Sequence, residues 1–468
     1  MKIKINQRKK DGGAINFSIR RITFVFIFFL IIIKSFPINA SKKKSIYLIR
    51  DPEIEYFIQH LLNEILIIKK QEINSISPRI LLDNSINAFV IGNNKIYINT
   101  GLIQNAKSIE EIQGVISHEL GHLFLGHIQS RKNYNKYSSN SFALGALTLL
   151  GISLTNSSTD LSGLILASKD LVMKNKSKYN RQQEMEADIY AIKTLNKMNV
   201  SLKGLKQFFE KINVKNKILV NPLLDYYNTH PSPDNRIELI NNFSSGSKSK
   251  LNTSISLKNF KLNLEFLKIK TLLFSQNTKY LNSIKNYEDE IIQKYLEMSK
   301  FYLQGDIPNA LIKINLIKLD QPSNPFIFHF AGDMYFEIDK IDQAISHYKN
   351  SIDLTIKNKI QNNSLIKLSL AKALIKRNDK NSLKKGFNIL EEIIPHEGSS
   401  TLLWRLIAEC SGKLGEKSTA YVALAEEQLI KNNFKKAKQF AKLGLKDKNL
   451  NFTYKLRAQD IMNLKKQR

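Results

Sequence analysis

The residues of this 468-residue chain best suited to chemistry lie in Val115-Ile116-Ser117-His118-Glu119-Leu120-Gly121-His122. Helix positions i and i+4 sit about 40° apart around the axis, so His118 and His122 turn both imidazoles toward one point. Two imidazole nitrogens at about 2.0–2.1 Å are half of a tetrahedral zinc site, and the adjacent Glu119 is placed to take a proton from a water. A catalytic site needs a third protein ligand. The three-histidine form of this motif has Gly seven and His ten residues after the first His. Gly126 and His127 each miss that spacing by one residue, so His127 reads as a helix-end or surface histidine. The stronger candidate is Glu184 in Gln183-Glu184-Met185-Glu186-Ala187-Asp188. Glu184 and Asp188 are also i and i+4, so a ligand and an acid able to accept the free N–H of a bound imidazole share one helix face. Glu186 points elsewhere and reads as solvated.

These side chains need elements to hold them. Ile54, Phe57, Ile58, Leu61, Leu62 and Ile65 recur at helical spacing between Ile46 and Ile76. Arg79–Leu82, Ala88–Ile91 and Ile96–Asn99 read as short strands, with Gly92-Asn93-Asn94 turning between the last two. Ser108 followed by Glu110 and Glu111 predicts a capped helix running to about His127, and Gln182–Met198 predicts another. Phe142–Leu154 and Leu161–Leu171 are apolar and too short to cross a bilayer. They read as a buried hairpin, or as a lid making peripheral contact with membrane or substrate through residues 142–171. Asn241–Lys258, rich in Ser, Asn and Lys, reads as a domain boundary.

Composition narrows the rest. Basic residues outnumber acidic ones 71 to 41, but 59 of the 71 are Lys, alongside heavy use of Ile and Asn. Such a bias follows from an A/T-rich coding sequence as readily as from a nucleic-acid partner, and no nucleic-acid motif accompanies it. The single Cys410 excludes an internal disulfide and a cysteine zinc cluster. A basic start, the apolar run Ile22–Ile33 and the small residue Ala40 predict a signal peptide over residues 1–40, hence export and no nucleic acid. Beyond about residue 260 the pattern is helical and repetitive. Ala344-x3-Tyr348-x2-Ser351 follows Ala310-x3-Ile314-x2-Ile317 by 34 residues, with Gly332, Tyr335 and Pro322 at matching offsets. That interval is the tetratricopeptide period.

His118-Glu119-x-x-His122 followed by Glu184-x-x-x-Asp188 resembles the gluzincin pattern of the CAAX-prenyl-protease-like zinc metallopeptidases. Asn87-Ala88-Phe89, Ile96–Leu102, Tyr179-Asn180-Arg181, Thr229-His230-Pro231 and Arg236 match further landmarks. With the leader and the repeats, the whole is similar to the periplasmic β-barrel assembly-enhancing proteases. The expected architecture is an α+β zinc peptidase domain (41–245), mostly helical with a small sheet. A linker (246–258) and an all-α tetratricopeptide solenoid (259–468) would follow it. The resemblance implies one Zn²⁺ per chain on His118, His122 and Glu184, with Glu119 as general base. Asp188 would hold a ligand histidine. Asn87-Ala88-Phe89 would be a strand edge to which an extended peptide adds. His230 would either cap the zinc in a latent enzyme or steady the oxyanion. The implied substrates are unfolded or misassembled envelope proteins in the periplasm, and the repeats would dock clients or outer-membrane assembly machinery. The competing reading is a chaperone or assembly adaptor acting mainly through those repeats.

Overall fold

The computed structural model describes residues 47–92, 94–128, 181–215, 230, 236–243, 251–284 and 286–464. The expected leader, the apolar stretch at 142–171 and the landmark residues Tyr179, Asn180, Thr229 and Pro231 lie outside them. Four strands form one sheet: β1 (Tyr47–Ile49), β2 (Ser77–Leu82), β3 (Ala88–Ile91) and β4 (Lys95–Asn99), in the order β1-β2-β4-β3. β2 and β4 run parallel and the other neighbours antiparallel, which leaves β3 at an edge. Ala88 and Val90 turn into the core, while Phe89 stacks on its cross-strand partner Tyr97 at 5.3 Å on the opposite face.

Helix α1 (Pro52–Ile68) begins where Asp51 accepts the Glu53 and Ile54 amides and Pro52 fills the first turn. A short α2 (Thr100–Asn105) follows the sheet and leads into α3 (Ile109–Phe124), which carries both motif histidines. Ser108 caps α3 by accepting the Glu111 amide, as its sequence predicts. Every residue of α3 from Ile109 to His122 is buried, so the helix is enclosed on all sides. Around it stand α4 (Arg181–Lys197), α5 (Leu202–Lys215) and α6 (Arg236–Phe243). α3 stops earlier than its sequence suggests. Gly126 adopts a left-handed φ of +76°, which ends the helix and folds His127 back toward the turn carrying His122.

From α7 (Leu264–Phe274) to Asn463 the described residues are helices joined by short turns. The residues spaced 34 apart do pack alike. Ala310 and Ala344 are both fully buried, and Gly332 lies so close under the Tyr348 ring that a Cβ would meet it at 2.6 Å. This helical array is joined closely to the sheet-bearing part, and Ile46–Arg468 forms one compact unit. Phe260, Leu262, Leu264, Leu267, Phe326, Ile360 and Ile366 share a core with α1, α3 and the sheet. Residues 254–256 and 261–263 pair as a hairpin, and just before it the Asn252 carbonyl accepts the Ile109 amide at the start of α3. Two ion clusters, one part-buried and one buried, tie the same regions. Arg50 reaches Glu55 and forms a bidentate pair with Glu397, 347 positions away. Lys270, 3% exposed, lies 3.0 Å from Asp51 and 2.9 Å from Glu53.

The Lys270 cluster makes a quantitative prediction. Removing one partner of a buried ion group leaves the others without countercharge, at a cost of about 3–5 kcal/mol. Lys270→Met should therefore lower the unfolding free energy by about that amount in urea titrations. A change within about 0.5 kcal/mol, as typical of an exposed lysine, would contradict the cluster.

Candidate metal centre

The site is built by bringing α3 and α4 into backbone contact. Gly121 makes this possible, because a Cβ there would lie 3.1 Å from the Ala187 Cα and from its carbonyl oxygen. Helices that close put His118 and His122 against Glu184 and Asp188, with all four side chains at most 1% exposed. His230 joins from the segment before α6, also 1% exposed. Donor atoms of His118, His122, Glu184 and His230 all lie within 4.8 Å of one another.

The hydrogen bonds decide which nitrogens face inward. The His118 Nδ1–H donates to Asp188 at 2.8 Å, leaving Nε2 with its lone pair toward the cluster. Arg236 in turn holds Asp188 with two bonds of 2.6 Å, and its Nη2 is 3.3 Å from Glu184. His122 turns Nε2 to within 3.1 Å of the His118 Nε2. The nearest Glu184 oxygens are 3.5 Å from the His118 Nε2 and 3.4 Å from the His122 Nε2. The His230 Nδ1 is 3.0 Å from Glu184 and 3.5 Å from the His118 Nε2. Lone pairs and a carboxylate, buried and converging, repel one another unless a cation lies between them. Zinc fits this set, since spokes of 2.0–2.1 Å give a tetrahedron with edges of about 3.3 Å.

The electrostatics of the cluster are strongly coupled. Burial pulls the His118 imidazole down, but hydrogen bonds to Asp188 and Glu184 outweigh it and push it up to about 9. Burial, with repulsion from His118 and His230, drives His122 well below the ordinary histidine range. Glu184 and Asp188 are both held low: burial raises them, and the histidines and Arg236 more than offset it.

The remaining predicted residues fall near this centre or at the sheet edge. Glu119 is fully buried, its Oε1 3.4 Å from the His230 Nε2. Asn87, fully buried at the start of the edge strand, has no hydrogen bond to either amide atom among the described residues. His127 lies just past the end of α3, as one of the two expected placements has it, but is buried rather than on the surface: it is 5% exposed, its Nδ1 3.0 Å from the His122 Nδ1. Glu186 points away from the donor cluster with a 42% exposed side chain, as expected, and in addition accepts from the His127 Nε2 at 2.9 Å. The break at Gly126 produces both contacts, and the Gly-His pair after the motif was the only signal for it. The doubled Arg236–Asp188 contact had no signal beyond Arg236 following the His230 landmark.

With this geometry in view, comparison with known proteins is informative. Residues 49–244 match peptidase family M48. That segment is a peptidase M48 domain. Its motif set and donor cluster are those of a zinc-dependent metallopeptidase family. Metalloprotease LoiP of Escherichia coli is 29% identical over 137 residues, covering 29% of this chain and 51% of LoiP. A putative β-barrel assembly-enhancing protease of Vibrio cholerae is 25% identical over 194 residues, covering 40% of this chain and 39% of that protein. The β-barrel assembly-enhancing protease of E. coli is 20% identical over 355 residues, 74% of this chain and 69% of that protein. The chain thus spans about half or less of the first two relatives.

The close approach at Gly121 supplies the test of this assembly. Gly121→Val must push α4 away from α3 and separate Glu184 from the histidine pair. Zinc affinity, measured against a chromophoric chelator, should fall about tenfold or more. Unchanged affinity would mean that this helix contact does not set the donor spacing.

Proposed function

We propose that the chain is an exported zinc endopeptidase that cleaves unfolded or misassembled envelope proteins in the periplasm. The observation that carries this reading is the buried convergence of two imidazole Nε2 atoms and Glu184, with Glu119 on the next residue of the same helix. His118, His122 and Glu184 hold the ion. A bound zinc supplies Lewis-acid polarisation of the scissile carbonyl. Glu119 takes a proton from the attacking water and returns it to the departing amide nitrogen. Asp188, braced by Arg236, fixes the His118 ring. An extended substrate adds to the β3 edge, where Asn87 offers a buried amide with unmet hydrogen-bonding capacity.

In this conformation His230 is a fourth donor. Four protein donors close a tetrahedral site, whereas a catalytic one keeps a position open for water. The arrangement supports the latent-enzyme reading of His230 over the oxyanion reading. Activation then requires the segment carrying His230 to withdraw.

We further assign residues 1–40 to a signal peptide, 41–245 to the catalytic domain, 246–258 to the connection and 259–468 to tetratricopeptide repeats that dock clients or outer-membrane assembly machinery. Supporting the docking role is a cavity of about 590 Å³ on the helical array, lined by Tyr302, Asp333, Phe336, Tyr348 and Lys372 among others. Among the described residues no helix is long and apolar enough to cross a membrane.

One experiment tests the catalytic assignments: zinc content and cleavage of an unfolded protein such as casein by the wild type, Glu119→Gln and His230→Ala. Glu119→Gln should keep its zinc and lose cleavage by about 100-fold or more. His230→Ala should cleave faster than the wild type. Full cleavage by Glu119→Gln would refute the mechanism, and lost cleavage with zinc retained in His230→Ala would return that residue to the oxyanion role.

A further inference from the structure

Outside the donor set itself, one chain of polar contacts reaches the centre from the protein surface. It starts at Glu186, whose side chain is 42% exposed and also accepts from Gln182 at 2.8 Å. Glu186 Oε2 lies 2.9 Å from the Nε2 of the buried His127, and the His127 Nδ1 lies 3.0 Å from the His122 Nδ1. The protons in this chain can be placed by elimination. A carboxylate only accepts, so the His127 Nε2 carries the hydrogen. A neutral imidazole has one N–H, so the His127 Nδ1 is an acceptor. The His122 Nδ1 must then be the donor, which leaves the lone pair of His122 on Nε2, the atom that faces Glu184 and His118.

We infer that His127 and Glu186 are positioning residues for the metal centre: they lock His122 in the tautomer and ring orientation that present Nε2 to the ion. The inference rests on the metal site proposed above. It also gives the two motif histidines different supports. His118 is held by an anion, Asp188, backed by the Arg236 cation. His122 is held by a neutral imidazole whose anion stands one residue farther out, partly in water. Gly126 is what makes this second support available, because the left-handed turn there brings His127 back over the helix end.

The test uses the full chain and reads zinc affinity by chelator competition, with no substrate present, beside thermal melting of the metal-free forms. Removing a partner of a ligating histidine typically costs 10–100-fold in metal affinity. His127→Ala should fall in that range. His127→Asn, which keeps a carbonyl acceptor near the place of Nδ1, should recover most of the loss. Glu186→Ala should lose about threefold to tenfold, since water can replace an exposed carboxylate. If His127→Ala does not fold, the surface variant Glu186→Ala and the conservative His127→Asn still decide the matter. Wild-type affinity in His127→Ala or in Glu186→Ala would overturn the inference. So would His127→Asn binding as weakly as His127→Ala, because the loss would then come from packing rather than from the hydrogen bond. A wild type that binds no zinc would refute the proposed function itself, whereas tight wild-type binding with indifferent variants would remove this inference alone.

Discussion

Two imidazole lone pairs and a carboxylate pointed at one another inside a dry core are tolerable only with positive charge between them, and the rest of the site is arranged around that constraint. Among the described residues, none offers a permanent cation at the centre of the cluster. Arg236 is the nearest one, and its shortest bonds, both 2.6 Å, go to Asp188 rather than to Glu184. The same constraint explains the burial of α3. A helix enclosed on every side excludes water from the donors, and exclusion strengthens every charge interaction among them.

Holding such a cluster costs stability, and the fold meets that cost with helix contacts and long-range ion groups. Gly121 lets α4 approach α3 to backbone distance, so the donor spacing is set by main-chain packing rather than by flexible side chains. Arg50 and Lys270 bind the start of α1 to helices more than 200 positions downstream. The sheet-bearing part and the helical array therefore share a core and two charge clusters. His230 supplies the donor that the proposed mechanism needs to move.

The sequence made some of this legible and hid the rest for physical reasons. Helical i, i+4 spacing placed His118 with His122 and Glu184 with Asp188, because that geometry depends on the helix alone. Alternation located β2, β3 and β4 to within about two residues but missed β1 and the hairpin at 254–263, and Ser108 announced the start of α3. The end of α3 was misjudged, since its apolar period continues past Phe124 and only the φ of Gly126 reveals the break. The burial of His127 against His122 was hidden for the same reason: it comes from a turn, not from the spacing to His118. Contacts such as Arg50 with Glu397, or Asn252 with Ile109, depend on the tertiary fold and leave no local pattern. Among the described residues, lysine, prominent in the composition, plays no part in the centre, where the close basic side chain is Arg236, able to make two bonds at once.

The most direct measurement is diffraction at the zinc absorption edge from crystals of the purified protein. The account predicts one anomalous peak per chain, surrounded by His118 Nε2, His122 Nε2 and Glu184, with His230 as the fourth neighbour in the resting state. A zinc bound elsewhere, or an ordered centre in which His118 and His122 bond to one another through a proton after zinc has been supplied, would contradict it.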